Sequence, residues 1–160
     1  MKIIVVGAGK VGYSVAKILS EEGHDITVID RDPETITHLS NELDVICVEG
    51  SATNHETLLG AGAAEADLLM AATQQDEVNM VCGITARKLG TKHVIARIRD
   101  TEYLRQTEFL REVLGLSITI NPEYECAKEI ARILRFPSAA RVDTCLLYTS
   151  DAADDRISVD

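Results

Sequence analysis

The sequence predicts an α/β domain built on a doubly wound, six-stranded parallel sheet in the order 3-2-1-4-5-6, with a C-terminal interface helix. Three observations carry this expectation. Six short apolar runs alternate with helical stretches. The first run is continuously apolar, as in a strand covered by helices on both faces. A glycine cluster follows that run directly, where such sheets turn from strand to helix.

The first strand is Ile3-Ile4-Val5-Val6. Val11, Val15, Ile18 and Leu19 then recur at helical spacing, and Gly23 supplies a helix stop. Further strands are expected at 25–30 (DITVID), 44–49 (DVICVE), 67–73 (DLLMAAT), 92–98 (KHVIARI) and 116–120 (LSITI). Helical stretches occupy 33–43, 55–61, 76–89 and 102–114, and right-handed crossovers distribute them over both faces of the sheet. Asn121-Pro122 reads as an N-cap with proline at the first helical position. It opens a last helix, 122–135, whose Ala127, Ile130, Ala131 and Leu134 form one apolar stripe suited to a second copy of the chain. Residues 1–135 are therefore expected to form one domain, with 136–144 the start of a linker to a further lobe.

Beyond that point the alternation fails. Residues 145–160 (CLLYTSDAADDRISVD) hold one short apolar run followed by an acidic, small-residue stretch. The order CLLYTSDAAD resembles one frame of a transposase-type sequencing adaptor read as protein. The natural sequence is accordingly expected to stop near Thr144, and the tail to be non-native.

Composition narrows the function. At 160 residues and 46% hydrophobic content the chain suits one domain, and 16 basic against 26 acidic residues give a net charge of −10. Nucleic acid and anionic membrane surfaces are disfavoured partners. No apolar run approaches the ~20 residues of a membrane span, and no signal peptide opens the chain, so a cytoplasmic location without membrane insertion is expected. Cys47, Cys82, Cys126 and Cys145 lack ligand spacing and read as reduced thiols. No metal site is expected.

The chemistry concentrates at the strand ends. Gly7-Ala8-Gly9-Lys10-Val11-Gly12 is G-x-G-x-x-G placed after a strand and opening a helix. In this arrangement the first glycine permits a tight turn, the second lets a pyrophosphate approach the backbone, and the third lets helix and strand pack closely. Asp30 ends the second strand at the distance expected of the acid that accepts hydrogen bonds from ribose hydroxyls. These features predict a Rossmann-type nucleotide site that disfavours a 2′-phosphate. NAD(H) and ATP or ADP share the adenosine ribose, so the fingerprint leaves both open. Glu49-Gly50-Ser51-Ala52-Thr53 and Thr73-Gln74-Gln75-Asp76 follow strands three and four, with Asp76 expected as a helix N-cap. Arg97 and Arg99 lie at the end of strand five, facing either acids such as Asp100 and Glu123 or a bound anion. The four histidines form no catalytic or ligand set.

GAGKVG, VIDRD at 28–32, EGSAT at 49–53, TQQDEVNM at 73–80 and ARIRDTEY at 96–103, taken in order, resemble the Trk potassium-uptake regulatory family, over about residues 1–144. The resemblance implies an RCK-type, non-enzymatic nucleotide-binding lobe that pairs into dimers or rings beneath a membrane potassium transporter of the TrkH/TrkG kind. It makes the loop Gly7, Ala8, Gly9, Lys10, Val11 and Gly12 cofactor-binding, with phosphates on the three glycines, ribose on Asp30, and the adenosine side on Arg31, Ser51, Ala52 and Thr53. Thr73 and Arg97 would face the rest of the ligand. Such regulators carry a further lobe and repeat the whole unit, so the chain reads as an N-terminal fragment. The cofactor half of a truncated NAD-dependent dehydrogenase would show the same fingerprint, as would a dimeric module of other purpose.

Overall fold

A computed structural model describes residues 1–135. The expectations for 136–144 and 145–160 fall outside the described residues. Six parallel strands form one sheet in the order β3-β2-β1-β4-β5-β6. They are β1 (Lys2–Val6), β2 (Asp25–Asp30), β3 (Ile46–Glu49), β4 (Leu68–Ala71), β5 (His93–Arg97) and β6 (Ile118–Ile120). The helices are α1 (Lys10–Glu21), α2 (Pro33–Glu42), α3 (His55–Gly60), α4 (Asp76–Leu89), α5 (Thr101–Arg105), α6 (Thr107–Leu114) and α7 (Pro122–Arg135).

Register explains the unbroken apolar runs. Val5 of β1 stands beside Val28 of β2 and Met70 of β4, and Met70 beside Ile95 of β5. Successive β1 side chains enter opposite layers. Ile3 and Val5 pack with Ala16 of α1, Val28 and Leu39 of α2. Ile4 and Val6 pack with Leu58 of α3, Leu69, Cys82 and Ala86 of α4, and Val94. Both faces of a central strand are buried, so no polar alternation survives in its sequence. Burial also pushes the Cys82 thiol up to about 12, which keeps it an inert core residue.

The observed elements are shorter than the expected ones at the sheet edges. β3 begins at Ile46 because the Val45 N–H turns back to the Leu43 carbonyl. The expected helix over 102–114 divides into α5 and α6 at Gln106, which leaves helical geometry at φ −108°, ψ 14° and closes its N–H on Tyr103, three residues back. Asp76 is not the N-cap of α4. Gln75 holds that position, and Asp76, 8% exposed, turns its Oδ2 to the N–H groups of Arg99 (2.8 Å) and Asp100 (2.7 Å). Those two donors leave the sheet after β5, and a buried carboxylate is better satisfied by two charge-assisted bonds than by one cap.

The chain divides into compact units at Tyr124/Glu125. In the second unit, the remainder of α7 carries Glu125–Lys128 and Glu129–Arg132 pairs at 2.9 and 2.5 Å, with Ile130 and Leu134 exposed.

Two buried contacts fix the sheet's carboxyl edge. A Cβ at Gly12 would stand 1.8 Å from the Gly7 carbonyl oxygen, so α1 crosses the end of β1 at a distance only glycine allows. Asn79 of α4 is fully buried; its Oδ1 accepts from Thr73 N–H (2.9 Å) and Thr73 Oγ1 (2.7 Å). Its Nδ2 donates to the carbonyls of Thr73 (3.1 Å) and Arg97 (2.8 Å). Gly12→Ala is expected to destabilise the domain by about 3 kcal/mol, because the obstacle is backbone, and Asn79→Ala by about 2–4 kcal/mol through several orphaned buried groups. Denaturant unfolding followed by circular dichroism measures both.

Candidate functional site

A cavity of about 900 Å³ opens where β1, β2, β4 and β5 end. Carboxyl ends of parallel strands are where open α/β sheets hold ligands, because the chain departs there in loops of opposite direction.

The glycine loop forms its floor. Gly7 has φ +88°, and a Cβ there would meet the Thr73 backbone at 3.0 Å, so this turn packs directly on the end of β4. Its N–H donates to the Ile29 carbonyl at 2.8 Å, tying the loop to β2. Gly9 caps α1 in extended geometry with nothing within 4 Å of a would-be Cβ. No side chain caps α1 and its first turn holds no acid. The helix therefore presents unsatisfied N–H groups and its positive end beside the open side of Gly9. This is the arrangement that accepts phosphate oxygens.

Asp30 stands next to this loop and is held on both sides. Its Oδ2 accepts from Ala8 N–H at 2.6 Å and its Oδ1 from Asp32 N–H at 3.0 Å. A carboxylate offers about four acceptor positions, so two remain for ligand hydroxyls. Asp32 in turn caps α2, accepting from the Glu34 and Thr35 N–H groups at 3.3 Å each. That cap brings Thr35 to the cavity wall.

Of the residues expected at the site, Gly7, Ala8, Gly9, Lys10, Val11, Asp30, Arg31, Ala52, Thr73 and Arg97 line this one cavity. Gly12 does not; it is consumed by the contact with Gly7. Ser51 and Thr53 do not line it either. Their hydroxyls pair with each other at 2.9 Å, leaving Gly50 and Ala52 as the wall. The strand-four turn contributes Gln74 and Gln75 as well as Thr73.

The far wall is cationic. Arg97, 7% exposed, donates from Nη2 to Oε1 of Glu123, at the start of α7. Arg99 donates from Nη2 to the Gln74 carbonyl, and its Nε lies 4.0 Å from Asp76 Oδ1. Burial alone would raise the Glu123 carboxyl, but its own backbone N–H and the guanidinium of Arg97, with the charge of Arg99, outweigh it and hold the group below the ordinary carboxylate range. Lys10, Arg31, Arg97 and Arg99 thus face Asp30 and Glu123 across one cavity.

Thr35, Val78 and the clamp residue Asn79 were not anticipated. Thr35 was accessible through its position three residues after the Asp32 cap. Asn79 left a signal too: it shares a helix face with Cys82, Gly83 and Ala86, so a polar side chain stands on a buried stripe. Among the described residues, no group of three or more His, Cys, Asp or Glu is placed to hold a metal ion. Nor, among them, is any helix long and apolar enough to cross a membrane.

The arrangement can bind an anionic ligand that also carries vicinal hydroxyls. A family model described as the TrkA-N domain matches residues 3–122. The Trk system potassium uptake protein TrkA homolog of Archaeoglobus fulgidus is 38% identical over 144 residues, covering 90% of this chain and 33% of that protein. The Trk system potassium uptake protein TrkA of Haemophilus influenzae is 38% identical over 162 residues, covering 99% and 34%. The chain thus spans about a third of the length of these curated relatives.

Among solved structures, the TrkA-N domain of the Escherichia coli inner membrane protein ybaL aligns with TM-score 0.73 and 22% identity, over 83% of this chain and 96% of that one. The GsuK channel bound to NAD aligns with TM-score 0.64 and 23% identity, over 74% and 21%. The same channel bound to ADP gives 0.64 and 22%, over 75% and 31%. The Shewanella denitrificans Kef C-terminal domain in its AMP-bound form gives 0.68 and 22%, over 88% and 84%. At these identities the structures establish the shared fold. With a family model covering most of its length and the glycine loop, Asp30 and the cationic strand-five wall set around one cavity, the chain belongs to the TrkA-N domain family.

Proposed function

We propose that residues 1–135 are a non-enzymatic, nucleotide-binding regulatory domain of a potassium-uptake system, acting on the cytosolic side of a membrane potassium transporter subunit of the TrkH/TrkG kind. The observation that carries the ligand is the pairing of an uncapped helix N-terminus at the open Gly9 with a fixed carboxylate at Asp30, held to the same loop by the Ala8 N–H. The first suits a phosphate. The second suits a ribose diol and repels a 2′-phosphate. NAD(H) and ATP or ADP meet both requirements, and the likeness to a channel bound to NAD or ADP and to a domain bound to AMP supports this class.

The names of the relatives support the transporter. They also favour a part in potassium uptake over the dehydrogenase half that the same fold would serve. For a regulator, the ligand must bind one arrangement of paired domains better than another. The exposed Ile130 and Leu134 of α7 supply an apolar face for such pairing through 122–135.

Titration calorimetry of the chain with NADH, NAD, ADP, ATP and NADPH tests the ligand class. Binding of the first four over NADPH is expected, and a folded chain that binds none overturns the proposal. Asp30→Ala should weaken NAD and ATP alike, by about 1.5–3 kcal/mol. Gly9→Ala should leave the unfolding midpoint unchanged while weakening every nucleotide about tenfold, since its methyl group enters the space of the phosphate. Ile130→Asp should lower the sedimentation mass at high concentration if 122–135 pairs two copies, and a wild-type chain that stays monomeric there removes the pairing.

A further inference from the structure

Holding ribose and pyrophosphate at the glycine loop leaves the ion pair of Arg97 and Glu123 unexplained. β4 lies between β1 and β5, which puts Arg97 two interstrand spacings, about 10 Å, from the end of β1. A phosphate on the first turn of α1 does not need it.

The two partners of this pair are held very differently. The Arg97 side chain is 9% exposed and that of Glu123 is 55% exposed. Arg97 is anchored further by the bond from Asn79 to its carbonyl at 2.8 Å. Glu123 engages Nη2 alone, and the Nε of Arg97 is buried with no partner. A half-exposed carboxylate returns to water at little cost, whereas a buried guanidinium cannot follow it and is left uncompensated. The site is therefore an anion site with an exchangeable occupant. A phosphate group, with several acceptor oxygens, can meet Nη2 and Nε together, which the single contact of Glu123 does not.

We infer that Glu123 is an internal anion occupying the Arg97 site, which a ligand phosphate reaching β5 must displace, so that Glu123 sets how the cavity distinguishes nucleotides by the length and charge of their phosphate chain. The inference rests on the nucleotide reading proposed above. Glu123 is ionised at neutral pH, held below the ordinary carboxylate range despite its desolvation by its own backbone N–H and by Arg97, so it competes as a full charge. Arg99 lines the same wall with its guanidinium turned to the Gln74 carbonyl and Asp76, available to a second phosphate oxygen. Two anions cannot share Arg97 cheaply, because like charges at contact repel strongly in a partly desolvated site. A short phosphate chain held at the loop leaves the pair intact. A longer one breaks it and frees the first turn of α7 from the end of β5.

The test is calorimetry of the full chain with AMP, ADP and ATP in divalent-free buffer, so that no metal ion bridges carboxylate to phosphate. Glu123→Gln keeps the shape and removes the charge; it is expected to tighten ATP about tenfold and to change AMP less than about twofold. Glu123→Ala should shift the ATP-to-AMP ratio in the same direction. In an Arg97→Gln background, adding Glu123→Gln should change nothing, since the site it competes for is gone. An unchanged ATP-to-AMP ratio in both Glu123 variants, with nucleotide binding intact, overturns the competitor role and leaves the nucleotide reading standing. Failure of the wild-type chain to bind any of the three overturns both.

Discussion

A fully buried amide at the end of the first turn of α4 uses all its hydrogen-bonding capacity at the carboxyl edge of the sheet, and the positions of the glycine loop and of Arg97 both depend on it. Asn79 accepts twice and donates twice, which is what an Asn side chain can do. Thr73, fixed by three of those bonds, is the surface on which Gly7 lies. The fourth bond fixes the carbonyl of Arg97. From Asp30 through Ala8, Gly7, Thr73 and Asn79 to Arg97 and Glu123, each group touches the next. The segment from Thr73 through Asn79 to the Arg97 carbonyl is fully hydrogen-bonded, and it is rigid because breaking any member leaves another buried and unpaired.

Much of the fold was legible because the cause of each element is local. Gly7, Gly9 and Gly12 announce a strand-to-helix turn by their spacing, and the apolar runs announce strands buried on both sides. The three glycines nonetheless have three different physical reasons: a positive φ, an open face and a close backbone approach. Only the structure separates the one that faces the open cavity from the one that holds the helix. Ser51 and Thr53 show the converse. Small hydroxyl residues after a strand suggest contacts to a ligand, yet a Ser and a Thr two apart satisfy each other first. Asn79 and the Arg97–Glu123 pair were hidden for a different reason. Their partners lie 6, 18 and 26 residues away, and which carbonyl or carboxylate they meet is decided by strand order.

The electrostatics separate the global from the local. A net charge of −10 speaks against polyanionic partners in general, but four cationic side chains and the positive end of α1 converge on one cavity. Field lines focus in such a cleft, and a small anion is attracted there whatever the sign of the remote surface. Asp30 and Glu123 then divide the cavity by function. Asp30 is fixed by two backbone donors and cannot leave, so under the proposed nucleotide reading it would select hydroxyls and reject phosphate at its end. Glu123 is tethered to one movable contact, so at its end the rejection is conditional.

This division bears on how a fold shared with dehydrogenases can serve regulation. A hydride-transfer site needs the far half of the ligand held still against a substrate and an acid or base. A regulatory site needs the far half of the ligand to alter something that other parts of the chain can read. Glu123 is the second residue of the last described helix, and its anchor on β5 is the guanidinium that a phosphate would claim. The charge competition proposed to grade ligands by their phosphates would therefore act on the first turn of α7. Under the proposed competition, binding energy at the strand ends would be converted there into the release or retention of a helix terminus, the kind of two-state element on which a population shift can operate.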